Sequence, residues 1–219
     1  MIIVRYLGGQ LRMLRRLGLI LCLVVTLPQA YARDSAAILV VGDSISAAYG
    51  IAMDRGWVAL LDAQLRQRGL PFHTINASIS GDTTAGGLRR LPNLLSEHTP
   101  SIVIIELGGN DGLRGYPVTQ MRDNLEQMVS LSQQAGAAVL LLPMEIPPNL
   151  GKRYTDAFRD SFAQAADASD AVLGQFPLQR VALDPLLMQD DGIHPTAEAQ
   201  PAMLDIIWQS LEPMLARRS

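Results

Sequence analysis

One cysteine and one lysine occur in 219 residues, and aromatic side chains make up only 5% of the chain. The cysteine, Cys22, lies in the apolar run 17–27, so the rest of the chain carries no thiol. That excludes a disulfide framework, a cysteine nucleophile and any paired-cysteine metal site. Histidine is also scarce, with three in all, and no His-x-x-x-His spacing exists to suggest a metal hydrolase. Positive charge is limited too, with 18 bases against 21 acids and Lys152 as the lone lysine. Arg89-Arg90 and Arg217-Arg218 read as solvated helix faces, which leaves no basic surface for nucleic acid. Internal repeats, low-complexity stretches and interdomain linkers are absent as well.

No apolar run reaches the roughly 20 residues that a membrane-spanning helix needs. The longest amino-terminal one, 17–27, has eleven residues. Arg5, Arg12, Arg15 and Arg16 precede it, Ala30-Tyr31-Ala32 follows it, and no acid occurs before Asp34. Basic segment, short apolar segment and small residues in that order predict an export signal over 1–32, cleaved after Ala32. Ile20 and Leu21 are too large for a lipoprotein cleavage box, and the long basic segment keeps a retained anchor as the alternative. Cleavage leaves 187 of the 219 residues with 14 bases and 21 acids, a net charge of about −7. The expectation is a single domain over 33–219, periplasmic or secreted, monomeric and without stable membrane insertion.

What remains alternates between two periods. Ile38 to Val41, Phe72 to Ile75, Ile102 to Leu107 and Ala138 to Leu142 read as buried strands, with Val181 to Leu183 as a weaker fifth. Between them, Trp57 to Leu65, Thr83 to Glu97, Val118 to Ala135 and most of Arg153 to Phe176 have helical spacing, and Pro195 is taken to open a last helix. Pro92 is the awkward point of the second helix. Alternating strands and helices predict a parallel sheet between two helix layers, an α/β fold in the form of a three-layer α/β/α sandwich.

Ligands of such sheets bind at the carboxyl ends of the strands. Gly42-Asp43-Ser44 follows the first strand, Asn76 to Asp82 with Gly81 the second, Gly108-Gly-Asn110-Asp111 the third, and Asp190-Asp-Gly-Ile-His194-Pro195 precedes the last helix. One edge therefore collects a hydroxyl, a backbone amide at a glycine, a carboxamide, and an acid and imidazole three residues apart. Acyl transfer needs those parts: a nucleophile, a base, a carboxylate to orient the base, and donors for the oxyanion. Each also has a plainer reading. Ser44 is a natural helix cap, Asn110 a left-handed turn residue, Gly81 loop punctuation, and Asp191 a cap for the final helix. His194 has no comparable plain reading, whereas His73 within a strand and His98 at a helix end suit surface or packing roles.

The four blocks together resemble the SGNH or GDSL hydrolase superfamily. The longer strings Asn76 to Thr83, Glu106 to Gly115 and Met188 to Pro195 are similar to its exported bacterial thioesterases and lysophospholipases. The resemblance implies Ser44 as nucleophile, His194 as base and then acid, and Asp191 as its orienter. It further implies an oxyanion hole from the amides of Ser44 and Gly81 and the side chain of Asn110, a flavodoxin-like strand order, and a loop over Asn110 to Tyr116 that shifts on binding. Neither cofactor nor metal is called for. The departure from the pattern lies in Pro143 to Asn149, the stretch that lines the acyl crevice in the relatives. The order Ser, Asp, His without any Gly-x-Ser-x-Gly separates the chain from the α/β-hydrolase fold.

Two other classes make different demands. A Mg²⁺-dependent phosphatase with Asp43 as acceptor wants a second carboxylate beside it, yet Ser-Ile-Ser-Ala follows. A non-catalytic binding module leaves Asp191 and His194 unexplained. For substrate, the expected mouth offers Ile45, Leu113, Tyr116, Met144, Ile146 and Leu150, an apolar crevice without a cluster of charge. That suits straight acyl chains on small-molecule esters and thioesters, with Ile45 and Ile146 as substrate-binding residues and Ile146 limiting chain length. Acetylated carbohydrate is the alternative substrate class.

Overall fold

The computed structural model describes residues 35–218. The export signal expected over 1–32 lies outside the described residues. Five parallel strands form one sheet in the order β2-β1-β3-β4-β5: β1 is Ala36–Gly42, β2 Phe72–Asn76, β3 Ile102–Glu106, β4 Ala138–Leu141 and β5 Val172–Leu173. This is the flavodoxin-like order, whose strand order reverses between β1 and β3. Ile38, Leu39, Val40 and Val41 are all fully buried, as the unbroken aliphatic run requires of a strand covered on both faces. Each such side chain contributes roughly 1.5–3 kcal/mol of transfer free energy.

The helices are α1 (Trp57–Gln67), α2 (Thr84–His98), α3 (Gly109–Leu113), α4 (Val118–Gln134), α5 (Lys152–Asp167) and α6 (Gln200–Ala216). α1 packs on α6, while α2, α4 and α5 pack side by side. The sheet is thus covered by two helix layers, as the alternation predicts. α2 begins at Thr83, whose hydroxyl accepts from the Gly86 amide at 3.2 Å, and it runs unbroken through Pro92. That proline is exposed, so the bond it cannot make is lost on the wet side of the helix.

Three local expectations are corrected. The fifth strand is Val172–Leu173, inside the stretch read as helix, pairing with Leu140 and Leu141. Val181 to Leu183 is a turn in which Val181 is buried and Leu183 is 94% exposed. A two-residue strand has no period of its own; it exists because the edge of β4 is open beside it, and α5 stops at Asp167 to reach it. The last helix starts at Gln200, not at Pro195: Pro195 pairs with Met188 in an antiparallel bridge, and Pro201 takes the first-turn position. Finally, residues 109–113, expected within a loop, form the single-turn helix α3.

Candidate active site

β1 ends where its neighbours leave no room for a side chain. A Cβ on Gly42 would lie 2.7 Å from Ser46 Cβ and 2.8 Å from Glu106 Oε2, so the chain can enter the following turn only as glycine. In that turn the Ala47 amide donates to the Asp43 carbonyl at 2.9 Å and the Tyr49 amide to the Ser44 carbonyl at 3.1 Å. Ser44 Oγ then stands 2.9 Å from His194 Nε2, across 150 positions of sequence.

His194 is carried by a turn that its own backbone and Asp191 brace. The Gln189 amide donates to the His194 carbonyl at 2.7 Å, and Asp191 Oδ1 accepts from the amides of Ile193 and His194, each at 2.9 Å. The other oxygen, Asp191 Oδ2, lies 2.6 Å from His194 Nδ1. The His194 amide first, then the His194 ring and the Ile193 amide, holds the Asp191 carboxyl at about 2, well below its usual range. An ionised carboxylate only accepts, so Nδ1 must carry the ring proton, Nε2 is the acceptor, and the Ser44 hydroxyl donates to it.

The other two blocks reach the same edge. The Ile79 amide donates to the Gly42 carbonyl at 3.0 Å, which ties the Gly81 loop to the end of β1. Gly81 has φ +79°, and its carbonyl accepts from Arg114 at 3.0 Å. Asn110 Nδ2 donates to Asp43 Oδ2 at 2.9 Å. Because a carboxylate accepts only, this bond fixes the carboxamide with its NH₂ edge, not its carbonyl, on that side. Asp111 points the other way and is buried, accepting from the Thr84 amide at 2.9 Å and the Thr84 hydroxyl at 2.6 Å at the start of α2. α3 is thereby held at both ends of its Asn-Asp pair.

Glu106 was not foreseen as part of the site. It is fully buried at the end of β3 in register with Gly42; its Oε2 accepts from Ser46 Oγ at 2.7 Å, and Trp57 Nε1 donates to the same hydroxyl at 3.2 Å. Burial and the nearby Asp43 charge push the Glu106 carboxyl well above its usual range. Burial likewise raises Asp43 to about 6, against the lowering effect of its bonds from the Ile45 amide and Asn110. Glu106 is the second carboxylate that the sequence after Asp43 does not show, supplied by the neighbouring strand. No group of three or more His, Cys, Asp or Glu side chains among the described residues could hold a metal ion. The only sequence hint of Glu106 is an acid inside an otherwise aliphatic strand.

The apolar residues divide. Ile45 is buried in the core, with its amide on Asp43. Met144 is buried as well, while Leu113, Tyr116 and Leu150 are exposed. Ile146 is half-buried, its Cγ2 closing the space that a Cβ on Gly112 would need, at 2.6 Å, beside Phe158. Tyr49, exposed, lies against His194 with ring centroids 4.4 Å apart. His73 bonds Ser35 and His98 faces Glu97, both away from these groups. A cavity of about 520 Å³ lined by Gln133, Ala138, Val172 and Arg217 opens at the amino end of β4 and contains none of this chemistry.

Residues 40–201 match the model of the GDSL-like lipase/acylhydrolase family. Esterase TesA of Pseudomonas aeruginosa is 48% identical over 195 residues, 89% of this chain and 96% of the relative. Thioesterase 1/protease 1/lysophospholipase L1 of Escherichia coli K12 is 41% identical over 195 residues, 89% of this chain and 91% of the relative. Among solved structures, the psychrotrophic esterase EstA from Pseudoalteromonas sp., inhibited by monoethylphosphonate, is 44% identical with a TM-score of 0.80, covering 82% of this chain and 98% of that one. With that match and those identities along nearly its whole described length, the chain belongs to the GDSL-like lipase/acylhydrolase family and is a serine hydrolase.

Proposed function

We propose that the protein hydrolyses carboxylic esters and thioesters of straight-chain acyl groups through an acyl-enzyme on Ser44. The observation that carries this reading is the unbroken path from Ser44 Oγ to His194 Nε2 at 2.9 Å and from Nδ1 to Asp191 Oδ2 at 2.6 Å. As Ser44 Oγ attacks the carbonyl carbon, its proton passes to Nε2, and ionised Asp191 stabilises the imidazolium. The carbonyl oxygen becomes an oxyanion, received by the amides of Ser44 and Gly81 and by the Asn110 N–H that Asp43 leaves free. Nε2 then protonates the leaving oxygen or sulfur, the C–O or C–S bond breaks, and the acyl group stays on Ser44. Water, deprotonated by His194, releases the acid in a second passage through the same steps.

Substrate class rests on the apolar mouth and on the relatives' names. Leu113, Tyr116 and Leu150 expose apolar surface, and each methylene buried against such surface adds about 0.8 kcal/mol. Rates on p-nitrophenyl esters are therefore expected to rise over several carbons from two toward sixteen. Ile146 is the residue proposed to limit length, with Ile45 as the second substrate-binding residue. Export to the periplasm is part of this proposal, supported by the Arg5 to Ala32 pattern. Among the described residues no helix is long and apolar enough to cross a membrane.

The test is the ester series in EDTA with the wild type and Ser44→Ala. Wild-type turnover, a loss of roughly 10³-fold or more in the variant, and phosphonate labelling confined to Ser44 are expected. Labelling at another serine would refute the nucleophile. Sharp preference for acetate, with nothing on chains of eight or more carbons, would replace the acyl-chain reading with carbohydrate esters.

A further inference from the structure

The Asp191–His194 pair stands on a turn at the surface, with the Asp191 side chain 41% exposed and the His194 side chain 16%. An imidazole turns readily about its last torsion unless neighbours wall it in, because that torsion is broad and roughly two-fold. A base that must hold Nε2 on Ser44 and Nδ1 on Asp191 at once cannot tolerate that freedom. The loop after the nucleophile turn carries the side chain that faces it. Tyr49 is 51% exposed, and its ring lies 4.4 Å from the His194 ring, tilted by 36°.

That placement is built from three separate features. Ala48 is in the left-handed region at φ +57°, where residues with a Cβ are uncommon and usually tied to a local task. Its methyl is accommodated because position 56 is glycine: a Cβ there would stand 2.8 Å from Ala48 Cβ. Gly50, also left-handed at φ +74°, leaves the space filled by the Gln189 side chain, whose Oε1 would lie 2.2 Å from a Cβ. Gln189 Nε2 in turn donates to the Tyr49 carbonyl at 2.8 Å and to the Pro195 carbonyl at 3.0 Å. One carboxamide thus clamps the Tyr49 loop to the turn that bears His194.

We propose that Tyr49 is a positioning residue for the base, its ring forming the wall that fixes the His194 imidazole while Gln189 locks the two loops together. The inference rests on His194 being the base, so His194→Ala belongs in the same experiment. kcat and KM on p-nitrophenyl acetate, melting temperature, and the downfield proton signal of the Nδ1–H to Asp191 bond are measured for Tyr49→Phe, Tyr49→Leu and Tyr49→Ala. The phenylalanine variant keeps the ring and is expected within about 2-fold of wild type in kcat, with the signal intact. The leucine and alanine variants are expected to lose about 10- to 100-fold in kcat with KM little changed, and to broaden the signal. The exposed ring carries little stability, so melting should move by less than about 4 °C. If the alanine variant melts below assay temperature, the phenylalanine and leucine pair decides. Leucine or alanine turnover within about 3-fold of wild type, a loss confined to KM, or a phenylalanine variant as slow as alanine would each overturn the role. Full activity in His194→Ala would instead defeat the base assignment itself.

Discussion

At the residue scale the proposed oxyanion donor and its orienter make the sharpest demands. Asn110 Nδ2 donates to Asp43 and is the proposed oxyanion donor, so Asn110→Ala should lower kcat by about 10² to 10³ with KM and melting temperature little changed. Asp43→Asn presents an amide where Asn110 needs an acceptor, allowing the Asn110 carboxamide to turn its carbonyl toward the oxyanion. The double variant should therefore be scarcely slower than Asn110→Ala alone, since both substitutions remove one device. Additive losses in the four-protein cycle would separate Asp43 from the oxyanion hole. A companion comparison concerns the base. Asp191→Asn still offers an oxygen to the ring, so it should cost less kcat than His194→Ala; equal losses would indicate that another acid, such as Asp190, orients the imidazole. With Asp191 ionised down to about pH 2, it stays an acceptor throughout the working range.

At the element scale the question is what holds a one-turn helix in place. α3 has five residues, too few to be stable by itself. Asp111 anchors it to the start of α2, where its charge also complements the helix dipole. Asp111→Ala removes two buried bonds to Thr84 and should destabilise by about 3 kcal/mol, a fall of roughly 10 °C in Tm. kcat should fall with it, because Asn110 rides on the same turn. Thermal scans and kinetics on Asp111→Ala beside Asn110→Ala test this. The first should lose stability and turnover together, the second turnover alone. Tyr154 contributes further along the segment, donating its hydroxyl to the Tyr116 carbonyl at 2.7 Å.

At the scale of the whole molecule, the buried Asp43 and Glu106 carboxyls make stability depend on pH. Both are raised, chiefly by burial, so the folded chain binds their protons more tightly than the unfolded chain does. Their contribution is fully present below the unfolded values and is lost as pH rises through the folded ones, for Asp43 from about 3.8 to about 6. Glu106→Gln keeps an acceptor for Ser46 and removes one titration. Its Tm should gain on that of the wild type as pH rises from 5 to 9; a difference constant with pH would show that Glu106 does not titrate on folding. Much of this fold was legible in the chain alone. Uninterrupted aliphatic runs ending in glycine report strands buried on both faces, and helical periods between them imply parallel crossovers. Local chemistry at each strand end was equally visible, because turn residues and reactive groups cluster within a few positions. What the sequence could not determine depended on neighbours distant along the chain. β5 exists only against the edge of β4, and Val181, apolar enough for a strand, is buried in a turn without pairing to the sheet. Glu106 becomes part of the site because parallel register sets it beside Gly42, and Tyr49 meets His194 because a left-handed Ala48 turns the chain toward it. Periodicity records which face of an element is dry, but pairing across 60 to 150 positions is decided by packing of the assembled layers.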